Sequence, residues 1–159
     1  MTKLSNHKNS ILAIVLLLST TVISAQIRHR NEGNLKIQGL DTITVNANNG
    51  DIVEALFAVH NYGNETLNIA QIATECICFD YHYPEKGIKP GSTDTIRLFF
   101  KTKNVPPGPY FKRVFADYEE GSIEMILQGK IKVIRPKYRP NEKTVIYKPK
   151  QIVVRNDRP

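Results

Sequence analysis

The sequence has no tryptophan and only two cysteines, Cys76 and Cys78, so it carries no disulfide framework. No Gly-x-Ser-x-Gly elbow is present, which excludes the usual nucleophile turn of a serine hydrolase. No glycine-rich phosphate loop and no His-Glu-x-x-His pattern occur either. No internal repeat, no heptad pattern and no amphipathic helix of useful length stand out. These absences leave no catalytic constellation, and the reading is of a protein that is not an enzyme and holds no resident cofactor. Spatially paired carboxylates are invisible in a sequence, but Glu119-Glu120 sits at a turn and reads as a solvated hairpin tip.

Long apolar runs are also missing, with one exception. Residues 11–18 are unbroken apolar, follow Lys3 and Lys8, and lead into a short-chained stretch ending on Ala25. That order is expected of a signal peptide over residues 1–25, cleaved between Ala25 and Gln26. The alternative is an uncleaved anchor. A spanning helix, however, needs about 20 predominantly apolar residues, and Ser19, Thr20 and Thr21 interrupt this run. No cysteine lies at the cleavage site, which closes the lipoprotein route. After cleavage, no membrane-spanning segment is expected.

Positive charge is scarce where it first looks abundant. The chain carries +7 overall, yet residues 26–129 hold 10 Lys+Arg against 13 Asp+Glu, a net of −3. Residues 130–159 hold 10 against 2, a net of +8. The basic character therefore belongs to the C-terminal end. Export argues against nucleic acid as its counterpart; anionic envelope surfaces serve equally well.

What is present is alternation. Val53, Ala55, Phe57 and Val59 share one face of a strand, and Ile96, Leu98 and Phe100 share another. Leu35 with Ile37, Ile43 with Val45, Leu67 with Ile69, residues 110–116, and Ile123, Met125 and Leu127 supply further strands. Asn48-Asn49-Gly50, Asn61-Tyr62-Gly63-Asn64, Pro90-Gly91, Pro106-Pro107-Gly108-Pro109 and Glu119-Glu120-Gly121 punctuate them with turn chemistry. About seven short strands with turns every 8–12 residues predict an all-β fold, an immunoglobulin-like antiparallel β-sandwich. The expected core comprises Phe57, Val59, Leu67, Ile69, Ile96, Leu98, Phe100, Met125 and Leu127. The domain is expected over residues 26–134.

Phe57-x-Val59-x-Asn61-x-Gly63 followed by Leu67-x-Ile69 resembles the opening of the bacterial family called domain of unknown function 1573. Cys76-Ile77-Cys78-Phe79, Pro84, Pro90-Gly91, the strand at residues 96–102, Gly108 and Lys112 continue the resemblance in order. It covers residues 51–133. Ile77 stands where the family has glycine and Phe79 where it has threonine. The resemblance implies an immunoglobulin-like domain of the motile-sperm type, with no established enzymatic role.

Three readings are open for Cys76 and Cys78. They are packed thiols or a locally strained bridge; a soft-metal site with His82, taking Cu(I) or Zn²⁺; or a redox-active pair. On a regular strand the two would share a face with their Cβ atoms too far apart for a relaxed bridge, so a bridge requires a sharp bend. His60 reads as a solvent-facing strand residue. His82 lies in an aromatic-rich segment that is either a binding edge or the cover of a sandwich end.

Residues 135–159 read as a basic, proline-containing tail. Val145-Ile146-Tyr147 and Ile152-Val153-Val154 within it are β-prone, and each is expected to add to a sheet edge on this domain or on a partner. The expected function is an exported interaction or structural module of the bacterial envelope, periplasmic or outer-envelope. Its expected partners are envelope proteins, met through a sheet edge or the tail. The alternative is a small metal-binding or redox protein centred on the cysteine pair.

Overall fold

A computed structural model describes residues 33–134 and 148–157 of the chain. The expected leader, its cleavage site, and Val145, Ile146 and Tyr147 lie outside the described residues. The strands are β1 (Leu35–Ile37), β2 (Thr42–Thr44), β3 (Ala47–Asn48), β4 (Ile52–Asn61), β5 (Ile69–Thr74), β6 (Phe79–His82), β7 (Thr93–Lys101), β8 (Gly108–Tyr118), β9 (Gly121–Lys132) and β10 (Gln151–Arg155). The one helical element among the described residues is a 3-10 turn at Thr102–Asn104, and no helix among them is long and apolar enough to cross a membrane.

Two five-stranded sheets face each other. The first runs β1-β4-β7-β6 with β10 also on β4; the second runs β2-β9-β8-β5 with β3 also on β9. The fold is thus the expected all-β, immunoglobulin-like sandwich. Strands outnumber the expected seven because short segments dress the edges. Three of those pairings are parallel: β2 and β3 on β9, and β10 on β4. The chain leaves the first sheet after Ile37 and enters the second at Thr42, so one short stretch closes an edge of both.

Alternation places the core. Val53, Ala55, Phe57 and Val59 of β4 meet Ile96, Leu98 and Phe100 of β7, and all seven are completely buried. Met125 and Leu127 come from the opposite sheet, and every residue of the expected core is buried. Apolar side chains facing each other across two sheets lose water on both sides, which drives the packing.

The Asn61-x-Gly63 turn has a local cause. Asn61 is fully buried. Its Nδ2 donates to the carbonyls of Glu65 and Ile88 at 2.7 and 2.8 Å, and its Oδ1 accepts the Gly63 N–H at 2.8 Å. A Cβ at Gly63 would press on that same Oδ1 and on Asn34, so glycine gives the turn its closest fit.

Within the stretch read as a tail, the described residues 148–157 join the sandwich. Ile152-Val153-Val154 adds to this domain's own edge, paired with Val53, Glu54 and Ala55. Ile152 and Val154 pack against the core. β1 and β10 lie end to end along one side of β4, and Asn156 fills the junction. Its Nδ2 donates to the carbonyls of Gln38 and Leu40, and its backbone N–H donates to Leu56. At the other end of β10, Asp51 Oδ1 accepts the Lys150 N–H at 2.9 Å. Removing β10 would strip hydrogen bonds from β4 and uncover the core beneath.

Candidate functional site

The cysteine segment crosses between the sheets at one end of the sandwich. β5 pairs with β8 as far as Thr74 opposite Val114. The chain then bends away and joins β6, whose Phe79 lies opposite Phe100 of β7. Both cysteines therefore sit in a bend, not on a strand, and Cys76 and Cys78 are bonded to each other with their Cα atoms 5.2 Å apart. The strand geometry that argued against a bridge does not apply. Ile77 accommodates the bend without a left-handed backbone, since no non-glycine residue among those described has positive φ.

The bend is fixed from below. The Thr74 hydroxyl donates to the Cys76 carbonyl at 3.0 Å, and the Lys101 N–H donates to the Cys78 carbonyl at 2.8 Å. Phe79 anchors the loop on an aromatic row, with ring centroids 5.1 Å from Phe79 to Phe100 and 5.0 Å from Phe100 to Tyr110. Tyr110 is held in turn by its hydroxyl, which donates to the Val45 carbonyl at 2.6 Å. Burial favours the neutral phenol and pushes its pKa up to about 12. Gly129, opposite Tyr110 on β9, has φ +151°, and a side chain there would collide with the Val45 carbonyl.

On this platform Ile77 points away from the protein and is fully exposed, at 101%. A sharply closed loop leaves it no core to turn into. Beside it opens a cleft of about 400 Å³, lined by Cys76, Ile77, Cys78, Val105, Pro106 and Asn104 together with Lys101, Lys103 and Lys112. Lys112 occupies the inward row of β8, between buried Tyr110 and Val114, at the position β5 has vacated. The acidic groups of the loop are already paired: Glu75 with Arg113 at 2.9 Å, and Asp80 with Lys101. Among the described residues, Lys103 and Lys112 have no ion-pair partner, so the cleft keeps a positive field.

The proposed metal ligands are not brought together. The two cysteines are joined, while His82 ends β6 opposite Arg97 and lines a separate cleft with Tyr83, Pro84, Asp94 and Arg97. Among the described residues no group of three or more His, Cys, Asp or Glu side chains converges. A bonded pair of sulfurs offers no thiolate, so metal binding at Cys76 and Cys78 requires reduction first. His60 lies half-exposed at the end of β4, its Nδ1 2.8 Å from the Thr93 hydroxyl and its ring against Tyr62.

Sequence reasoning missed the cleft and the place of Lys112 in it. The signal was available: in Tyr110-x-Lys112-x-Val114-x-Ala116, a lysine interrupts an otherwise inward-facing row.

The family described as protein of unknown function, DUF1573, matches residues 34–131. No curated protein matches the sequence. Among solved structures, the chain is similar to the VesB protease of Vibrio cholerae, with 11% identity and a TM-score of 0.44 over 64% of this chain and 32% of that one. It is similar to an ASH/PapD-like domain of human CEP192, with 13% identity and a TM-score of 0.45 over 64% and 87%. A third is the periplasmic chaperone SfaE, with 16% identity and a TM-score of 0.42 over 68% and 63%. The chain spans about a third of the length of the VesB protease.

Proposed function

The chain belongs to the DUF1573 family, and for this member we propose an exported, non-enzymatic interaction module of the cell envelope that docks a protein through its Cys76–Cys78 end. The observation that carries the reading is Ile77. A large apolar residue held fully in solvent by a closed loop, beside a cleft lined by Val105 and Pro106, offers a partner an apolar anchor. The charge at residues 3 and 8 and the apolar run at 11–18 support export. A disulfide also suits an oxidising compartment.

Within the basic end, β10 is paired along one edge with β4, and its outward row, where Val153 is exposed, faces solvent.

Native electrophoresis of gently solubilised envelope tests the reading. The wild-type protein is expected in a complex well above monomer size. Ile77→Asp should run as a monomer, while Tyr62→Asp, at an exposed aromatic site elsewhere, should run as wild type. Ile77→Asp in the same complex as wild type would overturn it.

A further inference from the structure

We propose that the partner segment received at this end is an acidic extended peptide, with an apolar side chain packed on Ile77 and carboxylates set against Lys103 and Lys112. The inference rests on the docking reading above and supplies its chemistry. Two observations lead to it.

The first is the composition of the walls. Ile77, Val105, Pro106 and the cysteine pair form an apolar lining, and the charged groups added to it are all lysines. The second is the state of those lysines. Lys101 is committed to Asp80, and the loop's own acid, Glu75, is committed to Arg113. Lys103 and Lys112 keep their charge without a partner among the described residues. Lys112 does so from the inward row of β8, where a neighbour's carboxylate would ordinarily be expected. Lysines without an ion-pair partner beside an apolar wall attract a carboxylate-rich segment, which fixes where it lands.

The concave, apolar shape favours a peptide over a lipid surface. A membrane-docking face needs a spread of exposed basic side chains, whereas here two lysines without an ion-pair partner among the described residues line one cleft with a protruding isoleucine.

The test uses the oxidised protein with its leader removed and a fluorescein-labelled peptide alternating leucine and glutamate. Anisotropy is expected to show binding that weakens steeply with salt. Binding should fall at least about tenfold in Lys103→Gln/Lys112→Gln, the loss of two charge-assisted contacts. Ile77→Ser should weaken it as well, and the same peptide with lysine in place of glutamate should not bind. Circular dichroism of each variant establishes that it is folded; Lys103→Gln alone, at an exposed turn, serves if the double variant is not. Equal binding by wild type and the lysine variants overturns the inference. So does lysine-dependent binding to phosphatidylglycerol vesicles without any binding to the peptide. If the acidic peptide fails while Ile77→Asp still dissolves the native complex, the peptide chemistry is wrong and the docking end stands. If neither responds, the docking reading falls with it.

Discussion

Asn156 Oδ1 accepts the Ala58 N–H at 3.2 Å, across 98 residues of chain. Ala58 lies in the gap between β1, which ends opposite Val59, and β10, which ends opposite Leu56. One side chain thus supplies the hydrogen bond that neither strand reaches. With its Nδ2 on Gln38 and Leu40, it ties the last described strand to the first.

Truncation after Ile134 is therefore expected to destabilise the domain by about 2–4 kcal/mol, from uncovered apolar surface and an unpaired stretch of β4. Asn156→Ala alone should cost about 1–3 kcal/mol, because it leaves buried backbone groups unsatisfied. Urea denaturation measures both. A truncated protein as stable as the full chain would make β10 a detachable element after all.

Phe57→Ala should cost about 3–5 kcal/mol, since the ring is fully buried between the sheets. A loss under about 1 kcal/mol in thermal or urea unfolding would be incompatible with a filled core at that site.

The main sandwich was legible because its rule is local. β4 and β7 alternate cleanly, and Asn61-x-Gly63 and Pro90-Gly91 mark where strands end. β10 was not legible in the same way. Ile152-Val153-Val154 announces a strand, but nothing in those residues names Val53 to Ala55 as the parallel partner, and the pairing is made by Asp51 and Asn156 at its ends. The cysteine bridge was half legible. Spacing alone left open whether the segment ran straight or bent, and the bend depends on β5 and β6 belonging to opposite sheets.

Alkaline pH should unfold the protein through Tyr110. Burial raises the pKa of the folded phenol to about 12, above its ordinary value of about 10. The associated stability is complete below pH 10 and is lost as pH rises from there to about 12, by an amount on the order of 3 kcal/mol. Tyr118 is shifted in the same direction, chiefly by its own burial. Tyr110→Phe should be less stable at neutral pH, having left the Val45 carbonyl without its donor, yet lose less between pH 10 and 12. Parallel alkaline slopes for the two proteins would remove Tyr110 from the account.

The Cys76–Cys78 bridge closes so short a loop that chain entropy assigns it only about 1–2 kcal/mol of global stability. Cys76→Ser/Cys78→Ser is accordingly expected to fold and melt within a few degrees of wild type while releasing Ile77 and weakening docking. Unfolding of that variant at room temperature would contradict this division of labour. The same reduced or substituted proteins decide the metal alternative: stoichiometric, tight Cu(I) or Zn²⁺ binding by the reduced chain, lost on Cys76→Ser, would promote it.

The central claim, that Ile77 is the point of contact with a partner, is tested most directly by photo-cross-linking in living cells. A benzophenone amino acid replaces Ile77 in one strain and Tyr62 in another. The account predicts a discrete, irradiation-dependent adduct to one envelope protein from position 77 and none from position 62. No adduct from position 77, or the same adduct from both, would contradict it.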